Sequence, residues 1–464
     1  MSDLSEFFSN YLESQAQNSQ LPTPEFRLLC LSNGHGEDII AVRILQELQQ
    51  QTPLSIAALP LVGEGRAYTQ LGIPLIGTVK TMPSGGFIYM DGQQLVRDLQ
   101  GGLVQLTFSQ LSAVRRWAKQ GGVILAVGDI VPLLFAWLSG ANYAFVGTAR
   151  SEYYLRDEGG WLPRRSLFQR WEKWAGSVYL PWERWLMSRP RCKAVFPRDS
   201  LTTETLQKWA VPACDLGNPM MDRLEPMISP QIKQEQKRSL TILLLPGSRP
   251  PEAYDNWQQI LVAVAGLLDV FPDRSLLFLG AIAPGLNLEP LCQLLVNAGF
   301  KQAVGAGLLD IPVVKQPIGL NPSVQESRKH LSLLANRNPL TFSQKNAYLI
   351  LAQHAYNDCL HLAEVAIAMA GTATEQFVGL GKPAITIPGK GPQFTYAFAE
   401  AQSRHLGASV ILVEQPTQVA DAVKSLLSDP DRLKRIAENG FRRMGKPGAA
   451  RRIAACLLER MGQS

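Results

Sequence analysis

Cysteine is scarce and scattered in this chain of 464 residues. Its six copies (Cys30, Cys192, Cys214, Cys292, Cys359 and Cys456) form no CxxC motif and no regular spacing. That argues against a zinc site or a disulfide frame. Several sit in apolar runs such as LLCLS and AACLLE, as buried thiols do in a reducing compartment. The first twenty residues, MSDLSEFFSNYLESQAQNSQ, are polar and acidic. No signal peptide is expected there, and 1–25 reads as an N-terminal tail. Uninterrupted apolar runs long enough to cross a bilayer are also missing. The nearest, 123–147, is broken by Gly128-Asp129 and Pro132, then by Ser139-Gly140-Ala141-Asn142. Those breaks predict a strand, a loop, a buried helix and a second strand. There is no low-complexity tract. The two halves repeat a pattern of elements without repeating a sequence.

Diffuse basic charge is lacking as well. The net charge is +6, from 45 Lys and Arg against 39 Asp and Glu. Trp161 to Lys193 holds eight of those cations (Arg164, Arg165, Arg170, Lys173, Arg184, Arg189, Arg191, Lys193) and two acids, Glu172 and Glu183. The remainder balances at 37 against 37. A neutral remainder with no recognition motif argues against nucleic-acid binding. The same stretch carries Trp161, Trp171, Trp174, Trp182 and Trp185, five of the nine tryptophans. Indoles favour a headgroup interface and cations favour anionic lipid, so 161–193 is expected to meet a membrane surface.

What is present is an ordinary globular composition, 46% hydrophobic and 18% charged, with a mean hydropathy of −0.01. The length is roughly three times a ~150-residue domain, so two domains or one large one are expected. Short β-rich apolar runs alternate with amphipathic helical stretches, the signature of an α/β fold with parallel sheets. Strands are expected at 27–32, 54–62, 74–79, 123–127, 143–147 and 193–199, with a helix at 38–51. A second series runs through 240–248, 274–280, 347–353, 364–370, 383–388 and 409–413, with helices at 256–271 and 374–381. The polar segment 224–239, with Pro226 and Pro230, reads as a linker. The expected division is therefore a domain at 26–223, the linker, and a second domain with C-terminal helices at 240–464.

Ligands of open parallel sheets bind beyond the carboxyl ends of strands, so the loops there hold the candidate site. Asn33-Gly34-His35-Gly36-Glu37-Asp38 combines two glycines at a helix start with possible proton-transfer groups. It is not G-x-G-x-x-G, so a dinucleotide site is unsupported. Gly247 and Ser248 offer close backbone approach and a hydroxyl, and Arg249 offers a planar fork for phosphate oxygens. Gly371, Thr372, Ala373, Thr374 and Glu375 form a small, flexible loop at a helix start. Its amides suit a diphosphate, and Glu375 suits ribose hydroxyls. Asp129 stands in an apolar run, where a carboxylate is used, hydrogen-bonded or a helix cap. The loop at 388–393 could close over phosphates, with Gln393 as a polar contact.

Taken in order, these motifs resemble the lipid-A-disaccharide synthase family. More widely they resemble the GT-B glycosyltransferases, which include the transferase that makes lipid II. PGSRPPE at 246–252 matches the synthase pattern PGSRxxE, and AGTATEQ at 370–376 is similar to its SGTATLE loop. LGNPMMD at 216–222, NGHGEDIIA at 33–41 and GDIVP at 128–132 correspond more loosely. The resemblance covers about residues 27–415. It implies a GT-B fold, with two Rossmann-like domains facing a central cleft and the UDP-sugar held mainly by the second. Ser248 and Arg249 would contact the diphosphate, Gly371 to Thr374 the phosphates, and Glu375 the ribose. Asp129 would be the catalytic base, with His35 as the other candidate. No cofactor or metal is implied, the UDP-sugar being the donor substrate.

The expected activity is inverting transfer of a GlcNAc-like hexosyl group to a membrane lipid acceptor, in a cytoplasmic protein held peripherally at the membrane. Two alternatives stand beside it: a UDP-sugar 2-epimerase, and a non-catalytic peripheral lipid-binding protein.

Overall fold

The computed structural model describes residues 26–79, 103–163, 174–226, 239–302 and 340–461. In the first half, the apolar runs become β1 (Arg27–Ser32), β2 (Ser55–Pro60), β3 (Val123–Gly128) and β4 (Asn142–Gly147). Then come the two-residue strands β5 (Arg156–Asp157) and β6 (Gly160–Trp161), and β7 (Cys192–Phe196). Five of these form one sheet in the order β2-β1-β3-β4-β7, and every pair is parallel. Leu28 and Cys30 enter one apolar cluster, while Leu29 and Leu31 enter another on the opposite face. Burial on both faces is why such strands read as continuous apolar runs. Helix α1 (His35–Gln51) follows β1, and α2 (Ile130–Ser139) joins β3 to β4. The run at 123–147 is thus strand, helix and strand as expected. No described helix is long and apolar enough to cross a membrane.

The second half supplies β8 (Ser239–Leu245), β9 (Ser275–Ala281), β10 (Lys301–Gln302), β11 (Leu340–Gln344) and β12 (Ala347–Ala352). β13 (Val365–Ala368), β14 (Ala384–Thr386) and β15 (Val410–Leu412) complete it. Their order is β10-β11-β12-β9-β8-β13-β14-β15. Pairing is parallel except at one edge, where β10, β11 and β12 are antiparallel. Helix α3 (Glu252–Val270) buries Trp257, Ile260, Leu261, Val264, Leu267 and Leu268, a helical-period stripe against the sheet. Among the helices after it are α4 (Thr372–Gly379), α5 (Tyr396–Leu406), α6 (Pro430–Met444) and α7 (Ala449–Met461).

Three details differ from expectation. The run 74–79 makes only an isolated bridge, Leu75 to Ala58. Pro74 has no amide to donate, and Gly77 turns away at φ +69°, so no ladder forms. Helices α1, α3 and α4 begin two to four residues before the expected starts. The last helix belongs in space to the first domain, although it follows the second in sequence. Its Ala450, Ile453, Ala454, Leu457 and Met461 share a core with Leu28, Ala41, Ile44 and Leu45. Asp222, from the LGNPMMD segment, anchors it. The carboxylate accepts from the amides of Gly448 (2.5 Å), Ala449 (3.0 Å) and Ala450 (2.7 Å). A carboxylate suits the positive end of a helix. Most of the expected linker, 227–238, lies outside the described residues.

Candidate active site in the interdomain cleft

Strand order locates the candidate site before any side chain is considered. In the first sheet β1 leads outward to β2, while β3 and β4 lie on its other side, so the order reverses between β1 and β3. In the second sheet it reverses between β8 and β13. Crevices open at such switch points, outside the carboxyl ends of the strands. The loops at these two points are 33–37 with 128–129, and 246–252 with 369–375. All of them were singled out from sequence. The paired loops also touch. A Cβ built on Gly128 would lie 3.0 Å from Asn33 Cβ and 3.4 Å from Glu37 Cγ. One built on Gly247, at φ +99°, would lie 3.3 Å from the Met369 carbonyl oxygen.

On the first domain, Asp129 caps α2 by accepting from the Val131 amide at 2.8 Å. The same carboxyl sits beside Glu37, and burial raises the pKa of both. Asp129 adds like-charge repulsion at Glu37. Hydrogen bonds from the Val131 amide and the Asn33 side chain, together with the Arg150 charge, only partly oppose the rise at Asp129. Thr148 Oγ1 donates to Glu37 Oε1 at 3.3 Å. Two adjacent carboxyls with raised pKa values are candidate proton-transfer groups. Asp38 is occupied elsewhere. Tyr68 OH donates to Ser32 Oγ at 2.6 Å, and Ser32 Oγ donates to Asp38 Oδ1 at 2.5 Å. Burial pushes the Asp38 carboxyl up to about 6. The His35 side chain lies outside the described residues.

On the second domain, Glu252 closes the PGSRPPE motif and fastens the neighbouring loop. Its Oε1 accepts from the Phe394 amide at 2.7 Å and the Gln393 amide at 3.2 Å. Asn256 Nδ2 donates to the Pro246 oxygen at 3.0 Å, steadying the turn at Gly247. Ser248, Arg249 and Gln393 all face outward. Gly371 is the N-cap of α4, and Gln402 Nε2 donates to its oxygen at 3.0 Å. Thr372 is exposed and Ala373 half-buried at the first turn, where amides lack intrahelical partners. The Thr374 hydroxyl is turned inward. It is buried, and its Oγ1 donates to Ala370 O at 2.5 Å.

Glu375 is placed where sequence reasoning did not anticipate. Its Oε2 accepts from Arg198 at 2.8 Å, and its Oε1 lies 3.7 Å from His405 Nε2. Arg198 follows β7 of the first domain, so this ion pair spans the cleft. Burial disfavours the Arg198 charge, but Glu375 and Tyr154 outweigh it and keep the guanidinium charged. His405 is fully buried and stacks on Tyr154 with centroids 4.7 Å apart. Burial, then Arg198 and Arg443, push its pKa well down, so it is neutral. Arg198, His405 and the clamp role of Glu252 were missed. Only Glu252 lay within a recognised motif. A separate cavity of about 370 Å³ at the domain junction is lined by Arg198, Asp215, Arg442, Lys446 and Arg452. None of the Gly128, Gly247 or Gly371 loops borders it.

Several tryptophans in and near the aromatic segment are exposed. Trp174 is 75% exposed, and Trp182, Trp185 and Trp209 are each near half-exposed. Arg189 lies 4.3 Å over Trp185. Arg184 is instead buried, donating to Ala175 O at 2.8 Å and lying 3.8 Å over Trp209. Glu183 is buried too, paired with Arg150 at 2.9 Å. Arg164, Arg165, Arg170, Trp171 and Lys173 lie outside the described residues.

No protein-family model matches the sequence, and no curated protein matches it. Solved structures do match in fold. MurG of Acinetobacter baumannii aligns with TM-score 0.54 at 14% identity, over 94% of this chain and 99% of its own. A Listeria monocytogenes protein assigned as a UDP-N-acetylglucosamine 2-epimerase gives TM-score 0.50 at 13%, covering 95% and 97%. MnaA of S. aureus, solved with UDP, gives TM-score 0.50 at 12%, covering 95% and 98%. With parallel sheets, paired switch points and these neighbours, the chain has the GT-B fold, two Rossmann-like domains facing a central cleft.

Proposed function

We propose that this protein is an inverting glycosyltransferase that moves a GlcNAc-like hexosyl group from a UDP-sugar to a membrane lipid, in chemistry related to lipid A disaccharide synthesis. One observation carries the reading. The two switch points present complementary chemistry, a raised-pKa carboxyl pair on one domain and glycine-opened loops with Arg249 and a helix start on the other. The acceptor hydroxyl attacks the anomeric carbon while Asp129 takes its proton. The departing UDP is stabilised by Arg249 and by the Thr372 and Ala373 amides. Trp174, Trp182 and Trp185, with the cations near them, bring the first domain to the membrane surface where the acceptor resides. UDP binding by the neighbour MnaA is consistent with this donor.

A second reading is favoured by the same carboxyl pair. Glu37 beside Asp129 provides two proton-transfer groups in one cleft, which a UDP-sugar 2-epimerase would use without any acceptor. One experiment separates them: incubation with a panel of UDP-hexoses, with and without host lipid extract, followed by mass spectrometry. UDP release and a new glycolipid only when lipid is present support transfer. An epimeric UDP-sugar formed without lipid supports the second reading. Absence of nucleotide binding with vesicle binding intact would leave only the lipid-binding alternative.

A further inference from the structure

The first turn of α3 fastens two loops of the second domain at once. β8, β13 and β14 are neighbours and parallel, so the turn 246–252, the Gly371 loop and the loop 388–394 leave adjacent strand ends. Glu252 is buried at the start of α3 and takes the Phe394 amide at 2.7 Å and the Gln393 amide at 3.2 Å on one carboxylate oxygen. One turn later, Asn256 Nδ2 donates to Pro246 O at 3.0 Å, and a Cβ built on Gly389 would lie 3.0 Å from Asn256 Oδ1. The loop also closes on itself, the Gly389 amide donating to Phe394 O at 2.7 Å. Its backbone rests directly on the carboxyl. A Cβ built on Gly391 would lie 2.5 Å from Glu252 Cγ, Cδ and Oε1. Gly391 has no positive φ, so a side chain there is opposed by that contact and not by backbone strain.

We infer that Glu252 is a positioning residue for the donor, holding loop 388–394 against the Gly247 turn so that Lys390 and Arg249, one cation from each loop, serve the same phosphate-bearing group; this rests on the UDP-sugar reading of the site. Both cations are exposed, as is Gln393. Glu252 itself touches no ligand, because its carboxyl is turned to the loop amides. Hydrogen bonds from amides to an ionised carboxylate are among the stronger ones, and losing this one strands the buried Phe394 amide. The Phe394 ring stays anchored in the main core and against Phe398, with centroids 5.3 Å apart. Loss of the carboxyl therefore frees the tip of the loop and leaves its base in place. A freed tip has to be ordered again when nucleotide binds, and that ordering lowers affinity.

The test titrates the full chain with UDP in a calorimeter and follows hydrogen exchange of the 388–394 amides without nucleotide. Glu252→Ala is expected to lower UDP affinity at least about tenfold and to speed exchange in the loop. Glu252→Gln keeps an oxygen that accepts from both amides, so most of the affinity should return. Gly391→Ala drives a methyl into the carboxyl and should weaken UDP from the opposite side of the same contact. Combined with Glu252→Ala that methyl has room, so the double variant should bind no worse than Glu252→Ala alone. Wild-type UDP affinity in Glu252→Ala, with native circular dichroism, overturns the inference. So do losses that simply add in the double variant, or a Glu252→Gln protein as weak as Glu252→Ala. If the unsubstituted chain binds no UDP, the donor reading itself fails and the positioning role falls with it, whereas faster loop exchange with unchanged UDP affinity defeats the positioning role alone.

Discussion

Replacing Arg198 by Met tests the electrostatics of the cleft most directly. Arg198 and Glu375 are 2.8 Å apart, with side chains only 3% and 10% exposed. The pair joins β7 of the first domain to α4 of the second. Removing the cation leaves a carboxylate in a site nearly closed to water. His405 at 3.7 Å cannot substitute, because its burial and its neighbouring arginines keep it neutral. Breaking one side of a buried ion pair costs about 3–5 kcal/mol, most of it from the stranded charge. Arg198→Met is therefore expected to destabilise the folded chain by about that amount. Arg198→Met combined with Glu375→Gln, which removes both charges, should recover at least about 2 kcal/mol of it. The assay is urea unfolding at neutral pH, read by tryptophan fluorescence across the four members of the cycle. A loss below about 1 kcal/mol for Arg198→Met, with additive effects in the double variant, would refute the reasoning. It would place the pair with surface ion pairs, whose usual contribution is about 0–1 kcal/mol.

Burial raises Asp129 and Glu37 above their ordinary values of 3.8 and 4.5, so the base form is lost at a higher pH than for a free carboxylate. The acid limb of UDP release should lie correspondingly high, and Asp129→Asn should abolish turnover with UDP affinity retained. Asp222→Ala removes an acceptor of three amides at the start of α7; a loss of about 2 kcal/mol is expected, with faster hydrogen exchange at 448–460. Gly247→Ala places a side chain at φ +99° within 3.3 Å of Met369 O, so UDP affinity in calorimetry should fall at least tenfold. Trp182→Ser with Trp185→Ser should weaken binding to anionic vesicles while leaving UDP affinity unchanged.

Much of the fold was legible because the signals for it are local. A doubly buried strand reads as an apolar run whatever it pairs with: β1, β3, β4 and β9 were all placed within a residue, while β8 ends three residues before its expected end. The same locality identified Gly247, Gly371 and Asp129, each of which stands where a strand ends and a helix begins. Legibility failed where the deciding contact is distant. Arg184 looks like one more surface cation, but folds inward onto Trp209 and Ala175 O.

The sequence by itself determined two α/β units, the strand–loop–helix turns at their strand ends and the concentration of tryptophan in one segment. These follow from hydrophobic periodicity and from the backbone freedom of glycine, which act over a few residues. Only the tertiary structure decided that Glu375 answers to Arg198, 177 residues away along the chain. It alone decided that Asp222 anchors a helix starting more than two hundred residues later, and that the last helix completes the first domain's core. The physical reason is the same in each case. A charge or an unpaired amide buried on folding must find its partner in space, and no local pattern in the chain records which distant residue supplies it.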